Sequence, residues 1–382
     1  MTQQASGLSS RLRRVRAVAA AAAICLAGSV GATVARADAS KTLNADLKAL
    51  IHEGVPGATI LIRDGDRTTV ASAGKASLQP SVAMNAKQRF KAGSTTKPMI
   101  ATVVLQLVDE GKLSLDQPIT DFVGDLAGGD ERITVRDLLA HKSGISEYTE
   151  DPRVFAPYLK GQFDHVWTPQ QLVNFAVDHP PVFEPGAEVG YSNTNNTLLG
   201  LIIQDVTGNR LGAELRTRVF KPLGMDKTNL ASKPGIRGAH VNGYLVGKGG
   251  ELQDVTGVDP SVYWAAGNVT STTRDLADFL DGLLGGELLP PELLEEMTTF
   301  EPMFPGVDYG LGITRGEFDC GHGIGHDGAV AGYLTFMVKM DDGRTVIAMA
   351  NSLTLGDKVG TNRAQARLMD LVEHAICRGG RG

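Results

Sequence analysis

Three short clusters combine residue types that can carry acyl chemistry. Ser94 and Lys97 stand three apart in Ser94-Thr95-Thr96-Lys97. Ala92-Gly93 lead in, Pro98 suits a first helical turn, and Met99, Ile100, Val103, Val104, Leu107 and Val108 give the next segment a buried helical face. On a helix that spacing puts hydroxyl and amine on one side, within mutual reach. The free N–H groups of a helix start also face an incoming oxyanion. A plainer reading is a Ser or Thr cap with a solvated Lys. Tyr191-x-Asn193 puts a phenol and an amide on one side of a turn ahead of an apolar helix from Thr197, where Asn193 could equally be a cap. Gly325-His326-Asp327-Gly328 precedes a strand at Gly332, and the small residues Ala329, Ala331 and Gly332 let a backbone run close to a neighbour. His322 and His326 beside Cys320 raise a zinc site, but no third cluster of ligands accompanies them.

The elements that must position these groups are α and β mixed. Residues 44–53 read as a helix, and Ala58 to Arg63 with Arg67 to Ala73 as strands around an Asp64-Gly65 hairpin. Late in the chain, Gly332 to Met340 and Thr345 to Ala350 flank a turn at Asp341-Asp342-Gly343, and a helix runs from Asn362 to about Cys377. The middle is mostly helical: Thr134 to Ala140, Pro169 to Ala176, Thr197 to Val206, Ala213 to Phe220. The expectation is an α+β fold, an antiparallel sheet flanked by helices. Residues 38–112 and 224–382 form its discontinuous α/β domain and 113–223 an inserted helical subdomain, with chemistry in the cleft between them.

The whole chain has 382 residues, 42% hydrophobic and 21% charged, with a net charge of −6. That supports a substantial core and gives no basic face for nucleic acid. Residues 1–37 stand apart: Arg11, Arg13, Arg14 and Arg16, an Ala-rich apolar run to Val30, then Ala35-Arg36-Ala37. They read as a cleaved export signal, too short in its apolar run for the roughly 20 residues of a membrane anchor. The expected product is secreted and carries no membrane anchor. Without that segment's five arginines the charge becomes −11, and only Cys320 and Cys377 remain of three cysteines. In an oxidising compartment such a pair reads as a disulfide worth about 4 kcal/mol in the chain-entropy model; the alternative is two buried thiols.

Ser94-x-x-Lys97, Tyr191-x-Asn193 and His326-x-Gly328, in this order and context, resemble the serine penicillin-recognising enzymes, within them the class C β-lactamase and soluble D-alanyl-D-alanine carboxypeptidase group. Leu105 to Leu113, Ile133 to Gly144 with His141 and Ser143, Pro222 to Met225, and Tyr309-Gly310-Leu311-Gly312 resemble that group too. The resemblance implies an acyl-enzyme on Ser94, with Lys97 and Tyr191 sharing its proton and the oxyanion held by the backbone N–H groups of Ser94 and Ala329. It implies substrate contacts from Asn193 and from Trp264 as an aromatic wall, a Cys320–Cys377 disulfide, and no metal or cofactor. A protonated His326 beside Lys97 would lower the Tyr191 pKa toward the phenolate.

His326, where most β-lactamases have Lys, points to the carboxypeptidase branch. The carboxylate clamp of that branch does not match: its positions hold Asp327, Ala329 and Thr314, with Gly328 between them and Arg315 one step out of register. Alternate strand residues face opposite sides, so Arg315 reaches the site only if the strand is shifted. The leading expectation is a secreted serine D-alanyl-D-alanine carboxypeptidase acting on peptidoglycan stem peptides and inhibited by β-lactams. An esterase or D-amino-acid amidase acting on small acyl donors is the alternative, ahead of a β-lactamase or a penicillin-binding receptor without turnover.

Overall fold

The computed structural model describes residues 43–247, 249–354 and 363–378. The expected export segment, residues 1–37, lies outside them. A nine-stranded sheet, antiparallel throughout, carries the site. Its strands are β1 (Gly57–Asp64), β2 (Arg67–Ser77), β3 (Val82–Ala83), β4 (Glu301–Phe304), β5 (Val307–Tyr309), β6 (Thr314–Phe318), β7 (Gly321–Val330), β8 (Tyr333–Met340) and β9 (Thr345–Ala350). Their spatial order is β3-β2-β1-β9-β8-β7-β6-β5-β4. The hairpin at Asp64-Gly65 forms as the sequence suggests, and β1 closes the sheet by pairing Ala58 with Ala350 and Arg63 with Thr345.

Alternation along the strands divides the apolar side chains between two cores. On β9, Val346, Ala348 and Ala350 pack under helix α1 (43–52) and the C-terminal helix. Ile347 and Met349 join the core that includes α2 (Thr96–Asp109), α3 (Asn193–Thr207) and α4 (Thr273–Leu284). The C-terminal helix, α5 (Arg363–Arg378), buries Leu368, Leu371, Val372 and Ile376, the spacing read in the sequence. From Thr96 to Phe220 every regular element is helical. Thr134 and Thr168 each start a short helix with a reciprocal capping box. Leu138, Leu172, Leu199 and Ile203 from this stretch share one core with the sheet.

The motif strand differs from expectation. His326 lies inside β7, which turns at Ala331-Gly332 and returns as β8. Glycines 321, 323, 325 and 328 hide the strand because glycine has low β propensity. Ladders to β6 on one side and β8 on the other hold it regardless. Gly325 is required there, since a Cβ would stand 1.9 Å from the Met337 carbonyl oxygen. Just before β7, Cys320 is disulfide-bonded to Cys377 of α5, with Cα atoms 5.4 Å apart. Among the described residues no helix is long and apolar enough to cross a membrane.

Candidate active site

Ser94 occupies a single helical turn, Gly93–Thr95, that runs into α2. Gly93 at φ +61° makes the bend. Thr96 Oγ1 fixes it by donating to the Gly93 carbonyl at 2.7 Å and accepting the Val269 N–H at 3.1 Å. One turn on, Lys97 is completely buried, its Nζ 3.0 Å from Ser94 Oγ, 2.7 Å from Asn193 Oδ1 and 2.8 Å from the Ala266 carbonyl oxygen. Tyr191 donates its phenol to Ser94 Oγ at 2.8 Å, and Lys97 Nζ stands 4.8 Å over its ring. The spacing argument for Ser94 and Lys97 therefore holds, and Asn193 is no cap: its amide turns to Lys97. The N–H of Asn193, at the start of α3, is instead taken by the Glu147 carboxylate, which also accepts the Thr149 N–H at 2.8 Å.

β7 passes close by the nucleophile turn. A Cβ on Gly328 would lie 2.3 Å from the Ala92 oxygen and 3.1 Å from the Ser94 nitrogen; one on Gly93 would lie 3.0 Å from the Ala329 nitrogen. This approach gathers the Ser94 and Ala329 amides beside the hydroxyl. The Ser94 N–H, second in its turn, has no partner within the helix.

His326 is buried on the helical side of the sheet, its Nε2 3.3 Å from Tyr309 Oη and its Nδ1 2.6 Å from the Asp327 carbonyl oxygen. Behind Tyr309, at 3.1 Å, lies Nε2 of His141. His141 holds a left-handed backbone at φ +56° and stacks 4.6 Å from the Tyr191 ring. Only residue-type matches to the family flag His141 and Tyr309 in the sequence, and Glu147 has no sequence signal.

Burial decides the protonation states. It pushes the Lys97 amine down to about 7, against the opposing charges of Glu147 and Asp327. It lowers His326 to about 4, with Asp327 opposing and Lys97 reinforcing. Tyr191 moves up, through burial and then Tyr309, although its bond to Ser94 resists. The expected imidazolium at His326 and the lowered Tyr191 phenol are thus both corrected, because burial outweighs the attraction between these groups.

These residues open on a cleft lined among others by Ser94, Tyr191, Asn193, Thr314 and Asp327. Two expected substrate contacts are corrected. Trp264, at φ +24°, turns its ring into α3, where a Cβ on Gly200 would meet it at 2.8 Å; Tyr263 and Phe155 line the cleft in its place. Arg315 is in regular register opposite Ile324, is tied to Asp308 at 2.5 Å, and stacks on Phe300. Thr314 faces the cleft but donates its hydroxyl to the Gly325 carbonyl at 2.9 Å. Asp327 is about half exposed there. Cys320 is spent in the disulfide, which removes the thiolate from the zinc reading.

The family model described as Beta-lactamase matches residues 37–369. The chain belongs to the beta-lactamase family. Within this family of serine hydrolases it is similar to a D-stereospecific amidohydrolase from Streptomyces sp., at 34% identity and TM-score 0.79 over 88% of this chain and 98% of that one. The D-amino acid amidase of Ochrobactrum anthropi SV3 superposes with TM-score 0.80 at 28% identity, over 90% of this chain and 99% of that one. Penicillin-binding protein 4 of Amycolatopsis lactamdurans is 28% identical over 312 residues, 74% of this chain and 77% of that protein. These relatives agree with the sheet-and-helix architecture.

Proposed function

We propose that the protein is a serine amidase that hydrolyses amides or short peptides of D-amino acids bearing a free ammonium group, through an acyl-enzyme on Ser94. The observation that carries this reading is the charge of the cleft beside β7. Asp327 presents a half-exposed carboxylate, and Arg315, on the neighbouring strand β6, is tied to Asp308. A substrate carboxylate is repelled there and an ammonium is attracted. The two solved relatives titled as a D-stereospecific amidohydrolase and a D-amino acid amidase support the stereochemical half of the reading.

Hydrogen bonding supports one order of steps. A neutral Lys97 amine has two hydrogens, and the two pure acceptors around it, Asn193 Oδ1 and the Ala266 carbonyl, take both. Its lone pair is left for the Ser94 hydroxyl, which makes Lys97 the base for acylation. Ser94 Oγ attacks the carbonyl carbon, and the Ser94 and Ala329 amides hold the oxyanion. Tyr191, kept protonated by burial, gives its proton to the leaving nitrogen and recovers one from the Lys97 ammonium. Water repeats the sequence to free the acid and Ser94.

The deciding measurement compares ammonia release from D-alaninamide with D-alanine release from a diacylated Lys-D-Ala-D-Ala peptide, using Ser94→Ala as control. Faster turnover of the amide is expected. Preference for the peptide would establish the carboxypeptidase reading instead. Penicillin should add one mass equivalent at Ser94. Export with loss of residues 1–37 belongs to the same proposal, supported by the Cys320–Cys377 disulfide. The secreted protein should begin at Asp38; an intact Met1 on cytoplasmic protein would refute export.

A further inference from the structure

Four rings line up behind the cleft, and the mechanism above uses only one of them. Tyr191 packs on His141, His141 meets Tyr309, and Tyr309 meets His326. The direction of every hydrogen bond in this row is fixed from one end. The Ile145 N–H donates to Ser143 Oγ at 3.1 Å, and Ser143 in turn donates to Asn195 Oδ1 at 2.7 Å. The Ser192 backbone N–H points at His141 Nδ1 from 3.2 Å and makes that nitrogen an acceptor, so the Asn195 group that faces it at 3.1 Å is the amide nitrogen, in agreement with the Ser143 bond to Oδ1. Two donors on Nδ1 leave it no proton of its own, so a neutral His141 carries its proton on Nε2. That proton goes to the Tyr309 oxygen. Tyr309 has one hydrogen, and the acceptor on its other side is His326 Nε2. His326 then holds its proton on Nδ1 and gives it to the Asp327 carbonyl.

We infer that His141 and Tyr309 are positioning residues that hold His326 as the neutral Nδ1–H tautomer, and so keep a cation out of the cleft. A second proton on His326 would need Nε2, where it would face the Tyr309 hydrogen. Tyr309 cannot turn back, because His141 already donates to it and His141 Nδ1 is blocked by two N–H groups. The device thus opposes protonation over a distance of three residues. The titratable groups facing His326 are Tyr309 from β5, Tyr191 ahead of α3 at 6.3 Å between rings, Lys97 from α2, His141 behind Tyr309, and Asp327 on its own strand. Of these only Asp327 favours an imidazolium. Without the row, a protonated His326 would add to Lys97 in offsetting Asp327, while Arg315 is already engaged by Asp308. The row therefore makes the neutral His326 part of what selects against a substrate carboxylate.

Ring-nitrogen NMR of uniformly 15N-labelled wild-type enzyme tests the first half, with His326→Gln assigning the signal among eight histidines. His326 should show a protonated Nδ1 and a bare Nε2, unchanged from about pH 8 to about pH 5.5, a range in which an ordinary histidine titrates. Tyr309→Phe should leave Nε2 open to a second proton, so that His326 titrates at a higher pH than in wild type while its burial still holds it below the ordinary value. In that variant the ratio of kcat/KM for the carboxylate-bearing peptide to that for a neutral ester should rise several-fold on acidification, and stay flat in wild type. The ratio cancels any limb common to both substrates, such as that of Lys97. A proton on Nε2 in wild type, or titration of wild-type His326 in that range, overturns the inference; so does a Tyr309→Phe variant whose His326 spectrum and titration match wild type. The activity arm rests on the amidase reading. The spectroscopic arm does not, so a wrong substrate class and a wrong tautomer give different results.

Discussion

At the scale of single residues, the proposed chemistry turns on one amine kept out of water. Burial brings Lys97 down to about 7, and only its neutral form can accept the Ser94 proton. The sign follows directly: below about pH 7 the ammonium dominates, so kcat/KM for a neutral ester should fall about tenfold per pH unit, and above it should level off. A profile flat down to pH 5 would remove Lys97 as the base. Lys97→Met should lower kcat about 10²- to 10⁴-fold, the range typical of a lost general base. Lys97→Arg should do no better, because a guanidinium does not deprotonate in this range. Ser94, Lys97, Tyr191, Asn193 and His326 were legible in the sequence because each motif holds residues that act within a few positions of one another. Glu147 and the His141–Tyr309 pair were not legible as actors. Tyr309 lies 168 positions from His141, and no local pattern announces such a meeting. Trp264 was misread for the opposite reason: the local pattern was right, but one residue of backbone twist gave the cleft Tyr263 instead.

At the scale of elements, the site exists because β7 lies against the Gly93–Thr95 turn, and glycine at 328 permits the approach. An added Cβ would meet the Ala92 oxygen at 2.3 Å, far inside contact distance, so either strand or turn must withdraw. Gly328→Ala should therefore cost about 10²- to 10³-fold in kcat, the range for loss of an oxyanion donor. Circular dichroism should stay near wild type, since the sheet's two cores are untouched. Full activity in this variant would show that the Ala329 amide is not part of the oxyanion hole. Hairpins with an Asp-Gly turn, the α2 apolar face and α5 could be read from the sequence because their signals are local. β7 could not, as its four glycines mimic a loop and its pairing comes from β6 and β8. The start of α3 at Asn193 rather than Thr197 was hidden likewise: the buried Glu147 carboxylate, from a distant loop, takes the Asn193 N–H.

For the whole molecule, the sheet separates two apolar cores, and Tyr191, His141, Tyr309 and His326 sit on the side shared with the helical stretch. The opposite side is closed by α1 and α5, and the Cys320–Cys377 bond ties α5 to the turn that leads into β7. Stability and catalysis should therefore separate when that bond is cut. In the chain-entropy model a loop of this length gives about 4 kcal/mol, and α5 keeps Leu368, Leu371, Val372 and Ile376 buried without it. Cys377→Ser, or reduction of the native protein, should lower the denaturation midpoint in urea, with the slope rising as the unfolded chain loses its cross-link. The kcat for a small neutral ester at about 25 °C should stay within about twofold of wild type, because Ser94, Lys97, Tyr191 and His326 contact neither α5 nor the bond. A parallel loss of kcat and midpoint would mean instead that the turn at Cys320 sets the position of β7, and with it the distance between the Ser94 and Ala329 amides.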